Sequence, residues 1–209
     1  MDWRDEGIVL SFRKHGESAV IAHLLTQHHG RHAGLVPGGN STKMRGVLQQ
    51  GNELSVQWRA RLEDHLGSFA IEFQEGHAAR VLSDPGRLSA MLSACALVDL
   101  CLPEREPHPG IFATLRALLL ALPDAAWAAE YVAWELSLLA ELGFGLDLSM
   151  CAASGATTDL IYVSPKSGRA VSAAAGENYK DKLLPLPQFL VGKEVVEPRD
   201  IADGLRLTG

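Results

Sequence analysis

The chain's 209 residues, 47% hydrophobic and 21% charged, have the balance of a folded globular protein and exclude a disordered or fibrous one. A formal charge of -6 argues against coating nucleic acid by bulk charge, and three cysteines with no Cys-x-x-Cys pair exclude a disulfide framework or a zinc ribbon built from cysteine alone. No apolar run of about 18 residues occurs, and Met1-Asp2-Trp3-Arg4-Asp5-Glu6 lacks the basic end and apolar core of a signal peptide, so the expectation is a cytoplasmic protein with no membrane partner.

The first part of the chain reads as short strands: Gly7 to Phe12, Ala19 to Thr26, His32 to Pro37, Leu54 to Arg59 and Gly67 to Phe73. Gly16, Gly30 and Gly38-Gly39 sit between or after the first three, where turns call for positive φ. The last two runs place apolar side chains on one face at period two. Five short strands with glycine corners suit a small closed barrel of the OB type, because closure removes exposed edges.

Helical periodicity begins after Ser83-Asp84-Pro85-Gly86, where Ser83 or Asp84 can cap and Pro85 fits the first turn. Leu88, Met91, Leu92, Cys95 and Leu97-Val98 recur at three-to-four spacing. A second helix is predicted over Ile111 to Leu122 and a third over Ala126 to Leu142, with Gly143 as its C-cap. The third carries the stripe Trp127, Tyr131, Trp134 and Leu138, which reads as core. From Asp147 to Gly176 the chain is polar and rich in Gly and Ala, with one strand-like piece at Leu160 to Val163. The last stretch, Leu183 to Gly209, is amphipathic without a stop signal, as if a helix were cut short. The expected division is residues 1–78 as barrel and 79–209 as a helical domain, giving an α+β protein.

Charge is unevenly spread. Residues 10–61 hold seven bases against two acids, whereas residues 82–160 hold three against ten. Six of eight histidines fall in the first 65 residues. The loop from Val36 to Arg45 is rich in backbone donors and carries Lys43 and Arg45, a composition suited to a phosphodiester backbone; it lacks the order of a Walker loop. Arg13-Lys14-His15, at another predicted turn, adds a second positive site. His28, His29 and His32 form a cluster for which a metal-dependent hydrolase is the weakest reading: Gly30 splits the trio, strand spacing sends His28 and His29 to opposite faces, and no carboxylate stands nearby in sequence. A Ser-His-Asp relay has no nucleophile elbow, and the Asp-rich and His-rich regions belong to different predicted units. Aromatic residues are 6% and form no visible stacking cluster, and Trp58 reads as core.

Two blocks resemble the RecO family of bacterial recombination mediators. The first comprises Gly7-Ile8-Val9-Leu10, Arg13-Lys14-His15-Gly16-Glu17-Ser18, Leu24-Leu25-Thr26, Gly30-Arg31, Gly38-Gly39, Lys43, Arg45 and Leu48-Gln49. The second runs from Trp134-Glu135-Leu136 through Leu142-Gly143-Phe144-Gly145 to Leu148, followed by Cys151. The resemblance implies an OB-fold barrel on a helical domain that binds single- and double-stranded DNA, anneals strands and helps load RecA in gap repair. It implies RecR and the C-terminal tail of single-stranded DNA-binding protein as partners, with no catalytic residue and no cofactor. Carried over by position, Arg13, Lys14, Arg31, Lys43 and Arg45, with Gly38 and Gly39, are the DNA contacts. A pocket for an acidic tail needs a base beside apolar surface, which Arg116 or Arg87 can supply, and the sequence does not select between them. Many family members carry paired Cys-x-x-Cys knuckles after the third helix. Here Cys151-Ala152-Ala153-Ser154 and Ser172-Ala173-Ala174-Ala175 stand in their place, so residues 150–176 are expected to form a zinc-knuckle-like hairpin without metal ligands. An adaptor of the same fold, with weak or no DNA contact, is the competing reading, because the acidic helical stretch repels phosphate.

Overall fold

A computed structural model describes residues 1–192 and 196–209. Residues 193–195, within the expected C-terminal stretch, lie outside the described residues. The chain divides into two compact units, Met1–Ala125 and Ala126–Gly209. The strands end at Glu75, close to the expected barrel limit at residue 78, but the first two long helices belong with the barrel, so the compact units part at 125/126.

In the first unit, β1 (Asp2–His15), β2 (Ala19–Thr26), β3 (Gly30–Val36), β4 (Glu53–Arg59) and β5 (Ser68–Glu75) close into a barrel in the order β1-β2-β3-β5-β4. Closure depends on β1, which is 14 residues long and pairs antiparallel with both β2 and β4. A register shift between Val9 and Ser11 bends it so that one strand serves two neighbours. The interior is filled by Val9, Val20, Ala22, Leu24, Val36, Leu54, Val56, Trp58 and Phe69. Gly34 has to be glycine on β3, because a Cβ there would stand 2.5 Å from the Phe69 ring.

Short helices α1 (Thr42–Val47) and α2 (Ala78–Val81) flank β4 and β5, and the long helices α3 (Pro85–Cys101) and α4 (Pro109–Ala121) follow. Asp84 caps α3 by accepting from the Gly86 and Arg87 amides, with Pro85 in the first turn, as the sequence implies. Helix α3 packs across β1 and β2, which is why Ile8, Val9 and Leu10 are all buried although alternate residues of a strand face opposite sides. Its contact with the barrel is polar at one point. Asp99 accepts from Ser11 Oγ at 2.6 Å and lies 3.1 Å from His23 Nδ1 and 3.2 Å from the Arg31 guanidinium. The chain leaving α3 is tied down beside it, since the Arg105 amide donates to Arg31 O at 2.8 Å.

In the second unit, α5 (Trp127–Glu141) ends at Gly143, whose φ of 87° is the left-handed C-cap conformation. The strand-like piece is part of a three-stranded sheet of β6 (Leu160–Ser164), β7 (Arg169–Ser172) and β8 (Leu184–Pro185), ordered β7-β6-β8. A helical period predicts α5 but cannot reveal strands of four and two residues, which exist only as partners of β6. A four-residue α6 (Ala173–Gly176) follows β7, and α7 (Pro198–Thr208) packs on α5 with Gly204 against Val132. No helix among the described residues is long and apolar enough to cross a membrane.

Removing Asp99 takes the acceptor from Ser11 and His23 and one of two carboxylates from the half-buried Arg31, so Asp99→Ala is expected to cost about 3 kcal/mol. A lowered urea midpoint for the first unit checks this, and Asp99→Asn should recover part of the loss.

Candidate nucleic-acid interface

The antiparallel strands put the β1–β2 turn and the loop after β3 at one end of the barrel. They are joined there, because the Asn40 amide donates to Ser18 O and Asn40 Nδ2 donates to Glu17 O, both at 3.0 Å. Arg13 and Lys14, on the last turnward residues of β1, are exposed, as are Lys43 and Arg45 on α1. Sequence positions thirty residues apart thus meet at one barrel end. Among the described residues Arg13, Lys14 and Lys43 form no ion pair, while Arg45 braces the loop by donating to Asn40 O and Asn40 Oδ1 at 3.2 Å.

Two glycines shape this loop. Gly38 is exposed with a φ of 70°, and Gly39 is packed so closely that a Cβ would stand 2.9 Å from the Val20 side chain. The first supplies the turn and the second lets the loop lie flat on β2.

Arg31 is committed elsewhere. Its Nε donates to Leu102 O at 2.8 Å, and its guanidinium faces Asp99 and, at 3.5 Å, Glu104, with only 15% of the side chain exposed. Position on a basic stretch placed it with the other cations, but the seam under α3 neutralises it. Asp99 is held below the usual carboxylate range: burial raises it, and the hydrogen bonds of His23 and Ser11 and the nearby cations outweigh that. The cluster also joins a Ser, a His and an Asp that the sequence assigned to separate units. Because Ser11 donates to Asp99 and not to His23, no relay toward a nucleophile results.

The expectation that His28 and His29 diverge is overturned, together with the absence of a carboxylate beside them. Both sit in the β2–β3 turn, outside the strand, and share Asp5 of β1, with Nδ1 to carboxylate distances of 3.0 and 2.8 Å. Asp5 is 2% exposed at its side chain. Burial pushes its acid up, and hydrogen bonds from His29 and His28 bring it below the ordinary value. His32 is buried within an aromatic group. The Trp3 ring stacks on His29 at 4.1 Å and on Trp58 at 5.6 Å, and His32 lies 4.8 Å from Trp58. The barrel therefore builds the aromatic cluster that no run of sequence displays. Trp58 is itself core, donating from Nε1 to Leu66 O at 3.0 Å.

No zinc fits the hairpin of the second unit. Cys151 is its one thiol, buried, and its Sγ accepts from the Ser172 amide at 3.3 Å and from Ser172 Oγ at 3.4 Å. Hydrogen bonds from Ser154 and Ser172 pull the thiol down to about 6. Among the described residues the one group close enough for metal is Glu53, Glu75 and His77. Its charges are already answered, since Arg116 and His77 both approach Glu53 within 3.0 Å and Arg80 reaches Glu75 at 2.5 Å. Arg116 is thereby engaged, and Arg87 pairs with Asp84 at 3.0 Å.

A five-stranded closed barrel of the OB type with helices packed on it, followed by a second unit of helices and a small sheet, defines an α+β protein. Residues 1–73 match the family described as Recombination protein O N terminal, and residues 82–209 match Recombination protein O C terminal. The chain is 55% identical to the DNA repair protein RecO of Rhodospirillum centenum over all of this chain and 84% of that protein. It is 52% identical to the DNA repair protein RecO of Methylobacterium nodulans, over all of this chain and 87% of that one. The chain belongs to the RecO family.

His32 has a consequence for pH. Burial, then the charges of Arg105 and His29, lower it from 6.5 to about 4. Between those values the unfolded chain holds a proton that the folded chain refuses, so stability is lost as pH falls from about 6.5 to about 4. Thermal midpoints measured across that window should decline in the native protein and flatten in His32→Phe; protonation of Asp5 and Asp99 adds its effect only below their ordinary value of 3.8.

Proposed function

We propose that the protein is a non-enzymatic DNA repair mediator that binds single- and double-stranded DNA at the loop end of its barrel, anneals complementary strands and helps load RecA onto coated single strands during gap repair. The observation that carries this reading is the convergence of Arg13, Lys14, Lys43 and Arg45 around the Gly38-Gly39 loop. Exposed cations gathered at one barrel end suit phosphate oxygens and carry no base preference. Kinship with the RecO proteins supports RecR, the C-terminal tail of single-stranded DNA-binding protein and the RecA pathway as partners, and a place in the cytoplasm, at the nucleoid when DNA is bound. Arg31 is left out of the contact set because its charge is spent on Asp99 and Glu104.

The adaptor reading draws on the acidic stretch 82–160, with its three bases against ten acids, and on Leu82 and Leu100, which are exposed in the first unit. A partner captured equally well by the native and charge-reversed proteins would favour it.

Lys43→Glu combined with Arg45→Glu is expected to weaken single-strand binding at least tenfold at low salt while leaving the melting temperature within a degree or two. The slope of log affinity against log salt should shrink by about 1.4, the worth of two phosphate contacts on a single strand. Anisotropy of a labelled oligonucleotide at about 50 and 200 mM salt reads both. Affinity unchanged at low salt would refute the assignment of the site, and Lys14→Glu, which touches no loop hydrogen bond, repeats the test without disturbing Asn40.

A further inference from the structure

Past Ile8, strand β1 runs on without β4. Its pairing with β4 ends at Ile8 opposite Glu53, while its pairing with β2 continues to His15 opposite Ala19. Residues 11–15 therefore form an edge that no strand pairs among the described residues. The two faces of this ribbon have different surroundings. Ser11 and its cross-strand partner His23 both meet Asp99 of α3. Because successive side chains alternate, Phe12 and Lys14 share the other face, where their partners Ala22 and Val20 belong to the barrel core. The loop after β3 lies on that face as well, since Gly39 packs against the Val20 side chain. One face thus gathers Phe12, Lys14 and the loop that leads to Lys43 and Arg45.

The Phe12 ring is 40% exposed. It belongs neither to the packed barrel interior nor to any ring contact among the described residues, and its neighbour across the ribbon, Ala22, is too small to cover it. One exposed ring is ordinary by itself. Charge gives this one its meaning. The other exposed phenylalanine of the first unit, Phe73, adjoins the exposed Glu72 and lies two residues from Glu75, which repel phosphate. Phe12 is followed by Arg13 and Lys14, which are exposed and form no ion pair among the described residues. A free ring face beside unpaired cations is how sequence-tolerant single-strand binders hold a base while neutralising its phosphate.

We infer that Phe12 is the platform on which one unpaired base of a bound strand stacks, and that this contact makes the basic end of the barrel prefer single strands to duplex. The inference rests on the DNA-binding reading above. Cations alone do not make that distinction, because both forms present phosphate. The bases of a duplex are held within their own stack, so a ring on the protein surface engages only an unpaired one. Phe12 and Lys14 stand two residues apart, about 7 Å along β1, which places ring and ammonium within reach of one base and its adjoining phosphate.

Phe12→Leu, which keeps an apolar side chain and removes the ring, is expected to weaken binding of a single strand of about 12 nucleotides about tenfold at low salt and to leave duplex affinity within about twofold of the native value. Phe12→Tyr should restore single-strand affinity. The slope of log affinity against log salt should stay the same in Phe12→Leu, because no phosphate contact is lost. No loss in Phe12→Leu, or an equal loss for single strand and duplex, overturns the stacking role and leaves the DNA-binding reading standing. No binding of either form by the native protein overturns both. The native protein supplies a second readout that does not depend on a variant folding: a single strand carrying iododeoxyuridine cross-links on irradiation to a ring stacked on it, and peptide mass spectrometry should place the adduct on Phe12. Adducts found only at other residues overturn the assignment.

Discussion

Asp99 carries a negative charge into the seam between helix α3 and the barrel, where Ser11, His23 and Arg31 converge on its two oxygens. Charges taken from water are costly unless every one is answered, and here the answers come from three different strands. The geometry of β1, β2 and β3 is therefore read out at a single carboxylate, which accepts only one register of helix on barrel. The apolar surface around it, from Ile8 to Leu10 on β1 and along α3, supplies the bulk of the stabilisation without specifying that register. The compact unit consequently extends past the barrel to Ala125, and the barrel is best regarded as one layer of a two-layer body.

The same seam explains which cations are available to a ligand. Arg31, at the start of β3, reaches Asp99 of α3 and is neutralised there. Arg13, Lys14, Lys43 and Arg45 sit at the end of the barrel that α3 does not reach with an acid, so they keep their charge for solvent or for phosphate. This separation lets a protein of net charge -6 present a local positive surface.

In the second unit, hydrogen bonds and an ion pair hold the hairpin. Cys151 accepts from Ser172, and Asp147 receives Arg169 at 3.1 Å, so the hairpin is closed at both ends of β7. Leu160, Val163, Ala170, Val171 and Leu186 pack around Cys151 as a small core.

Periodicity, glycine placement and capping chemistry are local properties, and they were enough to read five barrel strands, the Asp84-Pro85 start of α3, the extent of α5 and its Gly143 stop. Family resemblance rested on the same local order of residues. Proximity between distant residues is not local, and everything that depended on it came from the tertiary structure. Asp5 meets His28 and His29, Trp3 meets His29 and Trp58, and Arg31 meets Asp99 only because a bent β1 pairs on both edges and α3 folds back over it. Side chains brought together across 20 to 70 residues leave no period in the sequence. The sequence by itself thus determined the barrel strands, the long helices and a basic stretch over residues 10–61, while barrel closure decided which of its cations stay free and which aromatic rings stand together.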